Sequence, residues 1–229
     1  MAVDILAVGA HPDDVEIGMG GALLSFLADG YRVGVLDLTN GEPTPRGSVE
    51  QRARERDRAA AILGVTLRVS LDLPNRHLED TVEARVKVAE VFREHQPRLV
   101  FVPYWVDAHP DHLAASSLAE AARFYAKLTR SHLRHAPHYP AKVYSYFCTH
   151  LRLHVKPSFI LDISAHLARK LEALAAYESQ FQAVRPDENL LDWVRRDNVH
   201  WGALIGTGAG EPFICREEVG VRTLRGLLP

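Results

Sequence analysis

The chain has little cysteine, almost no net charge and no long apolar run. Two cysteines among 229 residues are too few for the disulfide network that holds small secreted proteins together. The 27 basic and 29 acidic residues leave a formal net charge of −2, so no basic excess points to a nucleic acid or to an anionic membrane. The longest apolar run, residues 99–106, contains a proline and is far shorter than the roughly 20 residues of a membrane span.

The amino terminus lacks the basic stretch of a secretory signal peptide. We therefore expect a soluble, cytoplasmic protein that binds neither nucleic acid nor membrane. With 47% hydrophobic residues, the chain is long enough for one sizeable core. We predict a single domain over residues 1–229.

Short apolar runs alternate with helical patterns along the chain. Strands are predicted at 3–8, 32–38, 67–73, 99–104, 143–147 and 159–163, and helices at 15–28, 49–63, 80–96, 112–128, 164–181 and 190–205. A strand, a helix and a strand at this spacing favour right-handed parallel crossovers. The sequence therefore predicts an α/β protein, with a three-layer Rossmann-like fold and a mostly parallel sheet.

Histidine and aspartate are concentrated in two predicted strand-to-helix turns. Gly-Ala-His-Pro-Asp-Asp-Val-Glu occupies residues 9–16 after the first strand, and Asp-Ala-His-Pro-Asp-His occupies residues 107–112 after the fourth. Open sheets of this kind bind ligands outside the carboxyl ends of their strands. Imidazole is both a common metal ligand and a proton carrier near neutral pH, so these turns are the candidate site.

The spacing of these residues favours a metal site. His11 and Asp14 are three residues apart at a helix start, and His112 can add a third ligand from the neighbouring strand end. Two imidazoles and one carboxylate leave an open coordination position, which is typical of catalytic zinc. Such a site would also accept Fe²⁺ or Co²⁺. Zinc there would lower the pKa of its water to about 7 and polarise a carbonyl group.

The same turns contain candidate acid and base groups. Asp13 lies next to a ligand without being needed as one, so it could take a proton from water. His109, if protonated and held by Asp111, could stabilise an oxyanion or protonate a leaving amine. In the simpler alternative, these residues only cap helices, because Asp and Pro are common in a first helical turn.

A nucleotide-binding module is the alternative from another class. Glycines at 18, 20 and 21 follow the first strand, but they lack the G-x-G-x-x-G spacing and come a turn into the helix. Asp13 and Asp14 would also repel a pyrophosphate at the helix start. We therefore expect Gly20 and Gly21 to allow close helix packing.

These motifs resemble the paired signatures of the LmbE-like (PIG-L) zinc deacetylases. The resemblance rests on residues 10–16 with Gly20-Gly21, and on His-Pro-Asp-His at 109–112. It implies hydrolysis of the N-acetyl group of an N-acetylglucosamine conjugate and assembly into a homo-oligomer, such as a hexamer. By position it implies these roles: zinc ligands His11, Asp14 and His112; general base Asp13; His109 as partner of the tetrahedral intermediate, oriented by Asp111; and Arg52 facing the substrate. The alternative for Arg52 is a solvated position on an arginine-rich helix.

Later segments resemble the branch of this family that acts in bacillithiol synthesis. They are residues 104–107, 156–159 and 177–181, and they imply hydrolysis of N-acetylglucosaminyl malate to glucosaminyl malate and acetate. Two features depart from that branch. Asn75 stands where an aspartate is expected, and the segment 127–138 matches the branch poorly. That segment should contain a basic residue that binds the malate carboxylates, and the candidates are Lys127, Arg130 and Arg134. Inositol-linked or oligosaccharide conjugates and thiol-conjugate amides therefore remain alternative substrates.

Overall fold

Seven strands form one sheet in the computed structural model, which describes residues 1–181 and 189–220. In chain order they are β1 (Ile5–Gly9), β2 (Val33–Thr39), β3 (Leu67–Leu73), β4 (Leu99–Pro103), β5 (Lys142–Tyr146), β6 (Phe159–Asp162) and β7 (Gly210–Ile214). Their order across the sheet is β3-β2-β1-β4-β5-β7-β6. The first five strands are parallel, whereas β7 runs antiparallel to both β5 and β6. The predicted α/β fold with a mostly parallel sheet is confirmed.

Helices cover both faces of this sheet. They are α1 (Asp14–Ala28), α2 (Val49–Leu63), α3 (Val82–His95), α4 (Pro110–Ala126), α5 (Leu167–Ala175), α6 (Glu178–Phe181) and α7 (Leu190–Ala203). Ile5 and Ala7 pack on the side of α1, α2, α5 and α7, whereas Leu6 and Val8 pack against α3 and α4. This alternation follows from the two-residue period of a strand and produces two apolar layers. Within the described part of the chain, no helix has both the length and the apolar character needed to cross a bilayer.

Several predicted boundaries need correction. Ser164 does not start a helix that runs to residue 181, because its hydroxyl donates to Asp162 and accepts from the amide of residue 209. The helical segment is instead split into α5 and α6. The cap of α3 is Thr81, while Asp80 binds the side chain of Arg85. Strand β7 was not predicted, because its sequence, Gly-Glu-Pro-Phe-Ile, has little strand character.

Close packing and one buried carboxylate fix the position of α1. A Cβ atom on Gly21 would lie 2.6 Å from Ile163, and one on Gly20 would lie 3.1 Å from Lys170, which confirms that these glycines permit close contact. The helix is interrupted at Met19, where φ is −151°. The amides of residues 21 and 22 donate to the carboxylate of Glu211 on β7, over 3.0 and 2.6 Å. Glu211 also pairs with the fully buried Lys170 at 2.6 Å.

Candidate metal and catalytic site

The two histidine–aspartate turns meet because β1 and β4 are adjacent parallel strands. The turn after β1 carries His11 and leads into α1, and the turn after β4 carries His109, the N-cap residue of α4. Their side chains therefore converge at the carboxyl edge of the sheet, as expected for an open α/β fold.

Three side chains offer metal-ligating atoms toward one another. The atoms of His11, Asp14 and His112 all lie within 4.8 Å, and the three residues are at most 9% exposed. His112 Nε2 is 3.2 Å from Asp14 Oδ1, and His11 Nδ1 is 3.4 Å from Asp14 Oδ2. A tetrahedral ion with bonds of about 2.0–2.1 Å separates its ligands by about 3.3 Å. The spacing of these donors therefore fits such an ion.

A further carboxylate orients one of these donors. Asp107 Oδ2 lies 2.6 Å from Nδ1 of His112, which leaves Nε2 facing Asp14. Asp107 Oδ1 accepts backbone hydrogen bonds from residues 108, 109 and 150. A carboxylate behind a histidine ligand is a common way to fix its tautomer and ring orientation. No role was predicted for Asp107, although an aspartate just after a strand and five residues before a candidate ligand was a usable signal.

Two overlapping groups of donors are less suited to holding an ion. One combines His11, His109 and Asp111, and the other combines Asp107, His112 and His150. In the first, Asp111 already accepts amides of residues 76 and 78, and His109 Nδ1 already accepts the amide of residue 111. In the second, the contact of 2.6 Å between Asp107 and His112 is too short for two ligands of one tetrahedral ion.

The carboxylates around the histidines favour positive charge at this point. Burial opposes protonation of His11, but Asp14 and Asp111 outweigh it and raise the pKa of His11 to about 9. Burial is likewise outweighed at His112, where Asp14 and Asp107 raise the pKa to about 10. The surroundings of these two rings therefore suit a cation.

Asp13 lies beside the donors without belonging to the group. Its φ of 110° is in the left-handed region, which non-glycine residues rarely adopt. Its Oδ2 accepts from Nη2 of Arg52 at 2.9 Å. Burial and the nearby Asp14 raise the pKa of Asp13 to about 6, although Arg52 opposes the shift. Such a carboxyl group can accept and return a proton near neutral pH.

The expected contact between the Asp111 carboxylate and the His109 ring requires correction. Asp111 Oδ2 lies 3.1 Å from His11 Nε2, and the same carboxylate accepts the amides of Arg76 and Leu78. His109 Nδ1 accepts the backbone amide of Asp111 instead. Burial and the neighbouring imidazoles also lower the pKa of His109. An Nδ1 atom that accepts an amide favours the neutral ring with its proton on Nε2 over the expected imidazolium.

Arg52 is buried, which excludes the alternative of a solvated helix position. It is 3% exposed, and its Nη2 donates to the carbonyl of Pro12 as well as to Asp13. Its guanidinium carbon is 5.4 Å from the centre of the Tyr177 ring. The structure therefore places Arg52 directly behind the turn that carries Asp13.

His150 is a further site residue that sequence reasoning missed. Its ring centre is 5.5 Å from that of His109 and 5.3 Å from that of His112, and its side chain is 58% exposed. A histidine just after the strand predicted at 143–147 was the available signal. The buried thiol of Cys148 lies on the same segment, 3.7 Å from Asp14 Oδ1.

Comparison with known proteins agrees with this geometry. The family model described as PIG-L, GlcNAc-PI de-N-acetylase, matches residues 6–123, which include both histidine–aspartate turns. The chain belongs to the PIG-L family.

Individual members of the family match over most of the chain. A diacetylchitobiose deacetylase from Thermococcus kodakarensis is 35% identical, over 77% of this chain and 70% of that protein. A 1D-myo-inositol 2-acetamido-2-deoxy-alpha-D-glucopyranoside deacetylase from Catenulispora acidiphila is 30% identical, over 77% and 79%. The crystal structure of the conserved protein TT1542 from Thermus thermophilus superposes with a TM-score of 0.88 at 37% identity, and the match covers 96% of this chain and 97% of that one.

Residues 127–138 of this PIG-L protein, which were expected to bind the malate group, lie far from the candidate metal donors. Helix α4 has 17 residues and is therefore about 25 Å long, with the site at its start and residues 127–138 beyond its end. Arg134 pairs with Glu90 on α3, and the Lys127 ammonium lies over the Phe124 ring. Lys127, Arg130 and Arg134 therefore do not reach the donors of their own subunit.

The glycines of α1 do not form a phosphate-binding loop in this PIG-L protein. Gly18 and Gly21 face the side chains of Tyr146 and Ile163, and the helix starts with the carboxylate of Asp14. Both features argue against the nucleotide-binding alternative.

Proposed function

We propose that the protein is a zinc-dependent deacetylase of N-acetylglucosamine conjugates, with N-acetylglucosaminyl malate as its substrate in bacillithiol synthesis in the cytoplasm. The observation that carries the proposal is the group formed by His11, Asp14 and His112 with the carboxyl group of Asp13 beside it. Membership of the PIG-L family supports removal of an N-acetyl group. Fe²⁺ and Co²⁺ are the alternative metals for such donors.

In this proposal each side chain has a defined task. His11, Asp14 and His112 would hold the metal, which when bound supplies Lewis acidity toward an amide carbonyl and toward water. Asp13 accepts the proton of the attacking water and returns it to the departing amine. The Nε2–H group of His109 donates to the oxygen on which negative charge develops.

The choice of conjugate rests on different support from the choice of reaction. The relatives named above act on diacetylchitobiose and on an inositol-linked sugar, so the proposal includes both as alternative substrates. Malate is favoured by the resemblance of residues 104–107, 156–159 and 177–181 to the bacillithiol branch. Because residues 127–138 lie at the far end of α4, recognition of malate within one subunit would need groups near the site itself.

Release of free amine tests the reaction and the substrate together. Purified protein would be assayed on N-acetylglucosaminyl malate, diacetylchitobiose, the inositol conjugate and N-acetylglucosamine, with and without a chelator. Zinc, Fe²⁺ and Co²⁺ would then be added back separately. We expect chelation to abolish amine release, zinc to restore it, and the malate conjugate to have the highest kcat/KM.

Two outcomes would contradict the proposal at different levels. Preference for diacetylchitobiose or the inositol conjugate would exclude malate and leave the deacetylase assignment intact. No amine release from any substrate, by protein shown by elemental analysis to contain one metal ion, would exclude the deacetylase itself.

A further inference from the structure

Arg52 reaches the catalytic turn from an independent, rigid element. It lies in the first turn of α2, where its amide donates to the carbonyl of Ser48 and the Ser48 hydroxyl accepts the amide of Gln51. Its guanidinium lies near the ring of Tyr177, whose hydroxyl donates to the buried Glu16 at 2.9 Å. The position of this guanidinium is therefore fixed by packing before any substrate binds.

One nitrogen of Arg52 holds the turn at two points. Nη2 donates to the carbonyl oxygen of Pro12 and, at 2.9 Å, to Oδ2 of Asp13. Between these two acceptors lies the left-handed backbone of Asp13, at φ 110°. A strained, non-glycine conformation persists only where its surroundings impose it, and Arg52 binds both the peptide carbonyl that precedes the strained residue and the side chain of that residue.

We infer that Arg52 is a positioning residue, which fixes the backbone and the carboxylate of Asp13 in the orientation needed for proton transfer. This inference rests on the proposed function, in which Asp13 is the base. It differs from the role implied by resemblance, in which Arg52 contacts the substrate. Nε and Nη1 of Arg52 have no hydrogen-bond partner among the described residues, but both atoms are buried, so a substrate could reach them only after the site rearranges.

The two roles predict different kinetics. If Arg52 acts through Asp13, Arg52→Met removes an interaction that matters in the transition state and lowers kcat with little change in KM. A displacement of about 1 Å in a catalytic group can cost about 100-fold in rate, so we expect a loss of that order in kcat. If Arg52 only binds substrate, KM rises and kcat is unchanged.

A double-mutant cycle makes the test specific. Wild type, Arg52→Met, Asp13→Asn and the double variant would be compared on the best substrate, after confirming equal metal content. We expect Arg52→Met to change the residual kcat of Asp13→Asn by less than about twofold, because the group it positions is already removed. Arg54→Met, at an exposed position on the same helix, is the matched control and should leave kcat unchanged.

A second double-mutant cycle measures the interaction energy between Arg52 and Asp13 from protein stability, independently of enzyme activity. The same four proteins, freed of metal by a chelator, would be unfolded in urea, and we expect the shifts in midpoint to be strongly non-additive for this buried pair. Equal kcat losses from Arg52→Met in both backgrounds, or a rise in KM alone, would overturn the inference. An inactive wild type with a non-additive urea cycle would instead contradict the proposed function and leave the contact established.

Discussion

Replacing Asp107 with asparagine isolates the orientation of one candidate ligand. Oδ1 of Asp107 accepts three backbone amides, from residues 108, 109 and 150, over 2.6, 3.2 and 2.9 Å. An asparagine keeps these three bonds only if its carbonyl oxygen occupies the Oδ1 position, which turns its NH₂ group toward His112. Nδ1 of His112 must then accept a hydrogen bond, so the proton moves to Nε2, the atom that faces Asp14.

A protonated Nε2 cannot ligate a metal. Metal binding by the variant therefore requires the proton of His112 to move back to Nδ1, which costs free energy. Loss of such an outer partner typically lowers metal affinity by 10- to 100-fold, which is about 1.4–2.7 kcal/mol. We expect the zinc dissociation constant of Asp107→Asn to rise by that factor in competition with a chromophoric chelator. His150→Ala, which removes an exposed ring beside His112 but keeps the backbone amide that donates to Asp107, should stay within about twofold of wild type.

One result would refute this reasoning directly. If Asp107→Asn bound zinc as tightly as wild type while His11→Ala did not, the hydrogen bond between Asp107 and His112 would have no part in metal binding. The geometry of the site would then have to be explained by the ligands alone.

Three further predictions address the proposed roles, the support of α1 and the assembly. Asp13→Asn should keep its zinc, as measured by elemental analysis, but its kcat should fall by about 10²–10⁴-fold, whereas His11→Ala should lose the metal. Equal zinc loss in both variants would contradict the division of roles. Glu211→Gln should destabilise the protein by about 3–5 kcal/mol in urea, because it leaves the buried Lys170 charge unpaired, and an unchanged midpoint would contradict this. Light scattering should report a homo-oligomer, with a hexamer as the expected form, and a monomeric mass at all concentrations would exclude it.

Patterns among residues close in sequence were sufficient to predict where the candidate metal donors lie. The placement of His11 and Asp14 after a buried strand, and of His112 at a helix start, depends on local periodicity and on the rule for carboxyl ends of strands. The parallel pairing of β1 and β4 then brings the two turns together. The convergence of the candidate donors therefore follows from short-range patterns and one topological rule.

Contacts that depend on rotamers and long-range packing could not be predicted. Asp107 and Asp111 flank the same histidine in sequence, but side-chain geometry alone shows that the first faces His112 and the second faces His11. Arg52 looks like other arginines of α2, and only the packing of the helix reveals its burial. Strand β7 was missed because a glycine, a glutamate and a proline mask its pairing with two neighbours.

The support of α1 has a consequence for biosynthesis. The candidate metal donors are all translated by residue 112, but the carboxylate that caps the interrupted helix behind Asp14 belongs to residue 211. During synthesis, about one hundred residues must therefore follow before the amides of residues 21 and 22 find their acceptor. A nascent chain that already carries all three candidate donors therefore lacks, for that interval, the carboxylate that supports the interrupted helix α1 behind Asp14.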